Sequence, residues 1–278
     1  MIGAIVGDVV GSRFEGMNKD PVVDNFKLFS RRCRFTDDTV LTIATGAAIL
    51  FGKCEYERSY REYFFRYPLA GYGSGFKKWA RKIDDSEAYN SWGNGSAMRV
   101  SPVGWAFNDK EVVLEEAEKS AKCSHNHEEG IKGAQSVALS IYLLRNGSSK
   151  GDVKKQIEDT FGYDLSPPKL KEWDISCQAC VPQAFSAFLQ SCSFENCIRL
   201  AVLKGGDSDT IAAIAGSMAE AYYGVPEHIF NKSMCYLTKD LKNIVKVFSQ
   251  YNGINSCINS TKKNDERILD KIFHYLRD

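Results

Sequence analysis

The chain has 278 residues, of which 26% are charged and 44% apolar, and a formal net charge of +1. That length can bury a sizeable core, and the composition is that of a soluble globular protein. The near-zero charge excludes nucleic-acid or membrane binding driven by bulk electrostatics. No run reaches the roughly 18 apolar residues of a membrane span. The N-terminal Met1-Ile2-Gly3-Ala4-Ile5-Val6-Gly7-Asp8 lacks a basic region and meets Asp8 almost at once, unlike a signal peptide. The nine cysteines therefore read as reduced thiols in the cytoplasm.

In chain order, Gly7-Asp8-Val9-Val10-Gly11-Ser12-Arg13-Phe14-Glu15-Gly16 comes first. It reads as a turn whose glycines allow close ligand approach. Glu15 is its carboxylate beside an apolar neighbour, and a solvated loop glutamate is the plain alternative. The spacing is not that of a dinucleotide-binding fingerprint. After Thr36-Asp37-Asp38-Thr39, the residues Val40, Ile43, Ala44, Ala47 and Leu50 repeat at helical period with almost no charged face, which predicts a buried central helix. Residues 67–101 resist assignment, being rich in glycine and aromatics with a weak period, and structured stretches of this kind tend to be functional. Within them, Asn90-Ser91-Trp92-Gly93-Asn94-Gly95-Ser96-Ala97-Met98-Arg99 offers left-handed turns and exposed N–H groups suited to phosphate oxygens. Trp92 could stack on a base or ribose, and Arg99 could pair with an acid or a phosphate; a structural turn is the alternative.

Residues 111–123 predict an amphipathic helix. In Ser124-His125-Asn126-His127-Glu128-Glu129-Gly130, a zinc reading, a helix cap and a ligand contact from His125 all stay open. Ile131, Ala134, Ala138, Ile141 and Leu144 mark a helix stopped by Asn146-Gly147. Asp152 is expected to cap a helix ending at Phe161. Cys177, Cys180, Cys192 and Cys197 do not have the spacing of a zinc ribbon and read as small core residues. Ser193 caps a helix ending at Gly205. Gly205-Gly206-Asp207-Ser208-Asp209-Thr210 opens another, with Ile211, Ile214, Ala215, Met218, Ala219 and Tyr222 in period. Pro226 suits the first position of the next helix, and residues 239–251 and 265–276 complete the set, joined by a polar linker at 255–265. Alternating strands and repeats are lacking, so the expected class is all-α, with no domain boundary between 1 and 278.

The two acidic clusters lie about 170 residues apart. Helix capping explains one aspartate per helix end, but each cluster carries two aspartates and a threonine. Brought together, four carboxylates and two hydroxyls tolerate one another only around cations, and hard ions such as Mg²⁺ or Mn²⁺ take such oxygens. Adjacent Asp37 and Asp38 diverge by roughly 100° on a helix, so both need not serve the same ion in the same way.

Gly7-Asp8…Glu15-Gly16, Phe35-Thr36-Asp37-Asp38-Thr39, Gly93-Asn94-Gly95-Ser96-Ala97-Met98-Arg99, His125 and Gly205-Gly206-Asp207-Ser208-Asp209-Thr210, in this order, resemble the ADP-ribosylglycohydrolase family. The resemblance spans residues 3 to about 226 and implies a compact orthogonal multi-helix bundle around a central dinuclear Mg²⁺ or Mn²⁺ centre. It implies Thr36, Asp37, Asp38, Asp207, Asp209 and Thr210 as metal ligands, with Asp209 bridging. It places Glu15 as a gating carboxylate, and Ser91, Trp92, Gly93, Asn94, Gly95, Met98 and His125 around the ligand. Trp92 stands where relatives often carry another aromatic.

The implied reaction is hydrolysis of the C1″ glycosidic bond between ADP-ribose and an acceptor, through an oxocarbenium-like state. The ions would grip the 2″ and 3″ hydroxyls and acidify a bound water, with Glu15 or Asp38 managing the proton. The partner would be an ADP-ribosylated protein or small conjugate, the acceptor an arginine, serine, nucleobase or ester, and the chain a monomer. Two other classes stay open: a non-catalytic ADP-ribose-binding module, and a hydrolase of O-acetyl-ADP-ribose or nucleotide diphosphates.

Overall fold

A computed structural model describes residues 1–16, 25–82, 87–166 and 173–255. The described residues form fourteen helices and no sheet: α1 (Ile2–Gly11), α2 (Asp37–Phe51), α3 (Tyr56–Arg66), α4 (Ser74–Arg81), α5 (Gly95–Met98), α6 (Ser101–Ala106) and α7 (Lys110–Lys122) in the first half. The rest are α8 (Glu128–Arg145), α9 (Lys150–Phe161), α10 (Cys177–Gln190), α11 (Phe194–Leu203), α12 (Ser208–Tyr223), α13 (Glu227–Met234) and α14 (Lys239–Asn255). A lone antiparallel bridge joins Gly93 to Ser176. The all-α expectation is met.

Local chemistry sets six of the fourteen helix starts. Thr36, Asp109, His127, Ser149, Ser176 and Ser193 each place a side-chain acceptor on a first-turn N–H, of α2, α7, α8, α9, α10 and α11 respectively. Two boundaries differ from expectation. Ser149, not Asp152, caps α9, because its hydroxyl reaches the Asp152 N–H at 3.2 Å while donating to the Asp152 carboxylate at 2.6 Å. Pro226 sits just before α13 rather than inside it. Residues 67–101 hold α4 and α5. Aromatic packing fixes part of this stretch, with Tyr72 stacked on Phe76 at 5.4 Å and Phe76 against Trp79 at 5.2 Å, which is why its helical period is weak. Cys177, Cys180 and Cys197 are buried and Cys192 is exposed, all as free thiols. The helix expected at 265–276 and its linker lie outside the described residues.

The N-terminal segment departs most from expectation. Gly7 and Gly11 belong to α1, not to a turn. Gly3, Gly7 and Gly11 recur every four residues and so line one face of the helix. That face rests on α12, which runs antiparallel to it. A Cβ at Gly3 would lie 2.0 Å from the Gly216 carbonyl oxygen, and one at Gly7 2.0 Å from that of Ala212. At Gly11 it would meet the Asp209 Cα at 2.5 Å. Glu220 of α12 fastens the other end, accepting from the Met1 ammonium and the Gly3 N–H at 2.8 Å each. The glycines thus buy contact between two backbones, not flexibility. As a result the C-terminal end of α1 stands against the N-terminal end of α12.

Gly7→Ala should therefore destabilise the protein by at least about 2 kcal/mol in urea unfolding, since its methyl meets backbone that cannot move aside. Gly151→Ala, whose Cβ meets nothing nearer than the Ser149 hydroxyl at 3.7 Å, should be neutral or mildly stabilising. Equal effects at the two positions would refute the account of the α1–α12 contact.

Candidate active site

Three helix ends converge here: the end of α1 and the starts of α2 and α12. Asp8, fully buried on α1, reaches across to α2. It accepts from the Thr36 N–H at 2.9 Å, the Thr36 hydroxyl at 2.7 Å and the Thr39 N–H at 3.1 Å. A carboxylate from another helix thereby satisfies N–H groups that α2 itself leaves unpaired. Thr36 also caps its own helix through the Asp38 N–H at 3.3 Å.

Asp38 projects inward from α2 and accepts from the Thr210 hydroxyl at 3.3 Å through Oδ2. Its Oδ1 is buried without any hydrogen-bond donor. Asp209, on the first turn of α12, is buried. Two sets of acidic oxygens result, each within 4.8 Å of one another: Asp8, Asp38 and Asp209, and Glu15, Asp207 and Asp209. Asp209 belongs to both.

Burial is the main force on these groups. It raises Asp8 against the pull of its hydrogen bonds from Thr36 and Thr39. It raises Asp38 and Asp209 far above the usual carboxylate range, and neighbouring aspartates add to the shift. Asp37 is pushed up to about 8 by burial and then by the charge of Asp8. Asp207 is raised by burial, and Glu15 by burial and then by Asp207. The donor set fits hard divalent cations: every donor is oxygen, carboxylates dominate, one buried oxygen has no donor, and the Thr36 and Thr210 hydroxyls keep free lone pairs.

The other predicted residues sit as follows. Asp37 is half-buried beside Gly71, where a Cβ would lie 3.3 Å from its Oδ1, and its carboxylate feels the charges of Asp8, Asp207 and Glu15. Glu15 is 38% exposed at the mouth, with Arg34 Nη2 at 3.8 Å. Asn94 is buried, and its amide donates to Asp207 Oδ2 at 2.5 Å and to the Cys180 thiol at 3.2 Å. It therefore orients an acid. Ser91 accepts from the Gly93 N–H at 3.1 Å. Trp92 is 55% exposed, edge-on to His127. Met98 is buried beneath the acids, its sulfur 3.8 Å from the Thr210 hydroxyl.

Gly93 and Gly95 do not use left-handed backbone; Asn90 does, at φ 51°. Gly95 is glycine for room, since a Cβ there would lie 2.9 Å from His125 Nε2. His125 is buried in the wall behind this turn, and His127 caps α8 instead of joining it in a metal pair. Arg99 is fully buried, not at the ligand surface. Sequence reasoning missed Asp8 as a member of the acidic set, and missed the role of Asn94. The four-residue glycine spacing would have placed Asp8 on a helix; nothing local announced its partners, 28 and 31 residues away.

Two predictions follow from this electrostatic arrangement. A carboxylate whose folded pKa exceeds its unfolded value binds more protons when folded, so stability falls as pH rises between the two values. For Asp37 that window runs from about 4 when unfolded to about 8 when folded. Calorimetry in EDTA should show Tm declining across it, and Mg²⁺ or Mn²⁺ should raise Tm most at the alkaline end. Indifference to metal at alkaline pH would sink the cation-site reading. Separately, Asn94→Ala should weaken metal affinity about ten-fold in titration calorimetry while leaving the helical circular dichroism intact.

Residues 1–251 match the model of the ADP-ribosylglycohydrolase family. ADP-ribosylhydrolase ARH3 of Homo sapiens is 24% identical over 309 residues, covering 82% of this chain and 85% of that protein. The ADP-ribosyl-[dinitrogen reductase] glycohydrolase of Rhodospirillum rubrum is 21% identical over 250 residues, covering 81% and 85%. Among solved structures, an ADP-ribosylglycohydrolase-related protein complex superposes with a TM-score of 0.71 at 22% identity, over 90% of this chain and 97% of that one; this likeness bears on the fold. With the family model spanning nearly the whole chain, this protein belongs to the ADP-ribosylglycohydrolase family of glycosyl-bond hydrolases.

Proposed function

We propose that the chain uses two divalent cations, Mg²⁺ or Mn²⁺, to hydrolyse the C1″ glycosidic bond between ADP-ribose and an acceptor, a protein side chain or a related conjugate. The observation that carries this reading is the pair of carboxylate sets sharing Asp209, set beside the turn at residues 91–95 and His125. Thr36, Asp37, Asp38, Asp207, Asp209 and Thr210 are the proposed ligands, and Asp8 and Glu15 complete the acidic shell. Bound there, the cations would supply Lewis-acid polarisation of the ribose oxygens and of water.

The chain's own residues account for the remaining chemistry. Cleavage at C1″ develops positive charge on the sugar, and a floor of fixed carboxylates favours that charge where water would have to reorganise around it. Glu15 stands at the mouth with its pKa raised. A carboxyl shifted upward in this way keeps its proton to higher pH than a free glutamate and can release it to a leaving group. Arg34 beside it limits the rise and holds the ionised form in place. Asp38 is the second candidate for handling the proton. Trp92 offers an apolar face at the rim, for a base, ribose or acceptor.

The test is a panel of ADP-ribosylated arginine, serine and nucleobase substrates together with O-acetyl-ADP-ribose, assayed for free ADP-ribose by mass spectrometry. Release from at least one is expected, and EDTA should abolish it. Asp209→Asn should cut turnover by at least about 1000-fold and lower metal affinity. Glu15→Gln should cut kcat about 100-fold and remove one limb of its pH profile. Binding of ADP-ribose with no turnover of any substrate would establish a binding module instead. Cleavage within the diphosphate would establish a different hydrolase.

A further inference from the structure

Behind the ligand turn lies a buried chain of three polar residues, of which the proposed chemistry uses only His125. Arg99, fully buried, has its guanidinium 4.0 Å above the ring of Tyr60. No salt bridge neutralises it among the described residues, and its Nε and Nη1 have no hydrogen-bond partner. Only Nη2 is engaged. Its two protons go to the Ser120 carbonyl oxygen and the Ser124 hydroxyl, each at 2.9 Å. The Ser124 hydroxyl is in turn 2.8 Å from His125 Nδ1. A buried cation without a counter-ion is costly, so this one calls for a reason.

Proton accounting constrains the direction of these bonds. A guanidinium donates and never accepts. The Ser124 oxygen must therefore accept from Arg99, and its single proton is free to go to His125 Nδ1. An imidazole that accepts at Nδ1 carries its proton on Nε2 if it is neutral. That nitrogen faces the turn at residues 93–95: ideal Cβ atoms at Gly95 and Gly93 would lie 2.9 and 3.8 Å from it.

We propose that Arg99 and Ser124 are positioning residues that lock His125 as the neutral Nε2–H tautomer, making it a fixed hydrogen-bond donor to a ligand oxygen held at the turn. The identity of that oxygen, on a phosphate or a ribose, rests on the function proposed above; the tautomer does not. Burial, and then the charge of Arg99, hold His125 well below the usual imidazole range. A protonated ring would put a proton on Nδ1, against the Ser124 hydroxyl, beside a cation already lacking a partner. Arg99 thus both orients the serine and keeps the ring uncharged. The surroundings serve the same geometry. Tyr89 meets the ring edge-on at 5.5 Å, and the Asn90 N–H is tied to the Asn126 side chain at 2.8 Å.

Long-range ¹H–¹⁵N correlation of the imidazoles in the free full-length protein reads the tautomer directly. His125 should appear as Nε2–H and stay neutral at acidic pH where an ordinary imidazole is already protonated. Ser124→Ala should convert it to a mixture, raise the Kd for ADP-ribose and the KM about ten-fold, and change kcat little. Ser124→Thr should restore all three, since it returns the hydroxyl. An Nδ1–H tautomer or an imidazolium at neutral pH in the wild type overturns the proposal, and that reading requires no variant to fold. A tautomer and KM unmoved by Ser124→Ala would overturn it as well. If the wild type shows Nε2–H and Ser124→Ala shifts it, but ADP-ribose does not bind, the relay stands and the substrate assignment falls.

Discussion

Gly3, Gly7 and Gly11 let the backbone of α1 lie directly on that of α12, and the acidic site depends on that approach. It fixes where Asp8 and Asp209 stand, because each sits on the helix beside the contact. Asp8 then takes two N–H groups at the start of α2 and so sets the position of Asp38. Three elements distant in sequence are registered by backbone contact and by one carboxylate. Neither depends on a long side chain, so the crowded oxygens have little freedom to move apart.

That stiffness has an electrostatic consequence. Buried aspartates repel one another, and burial alone raises each of them. The starts of α2 and α12 supply partial positive charge and N–H donors, which offset part of the cost but leave Asp38 Oδ1 unpartnered. The upward shifts favour the protonated forms of these carboxyls wherever no cation is bound. Protons and metal ions would compete for the same oxygens, so the crowding that is expected to weaken the fold at alkaline pH is also what suits the oxygens to the proposed cations.

Much of this was readable from local pattern. The threonine-aspartate clusters lie at helix starts, the apolar periods after them mark the two central helices, and Ser193 and Asn146-Gly147 bound helices as their chemistry requires. What escaped reading depends on contact across the chain. Glycine signals a turn by its backbone freedom and a close helix contact by its lack of a side chain; the letter is the same, and only the spacing of four, matched by Ala212 and Gly216 on α12, tells them apart. Gly95 repeats the ambiguity, since its role is to make room for His125. Arg99 looked like a ligand contact because a guanidinium suits phosphate. Its burial above Tyr60 depends on helices α3 and α7, which no short motif reveals.

The relay and the acidic floor handle charge in opposite ways, and the ligand turn lies between them. On one side carboxylates gather, with cations proposed to neutralise them. On the other, a single cation is sealed away, its charge passed on only as the direction of two hydrogen bonds. A neutral Nε2–H donor can grip an oxygen without adding a charge that the carboxylates would attract or the cations repel. A lysine or an imidazolium in the same place would compete with the metal for the acids. Keeping the ligand-facing group of that wall neutral, with its donor fixed in direction, lets the acidic floor be strongly charged without an exposed cation opposite it.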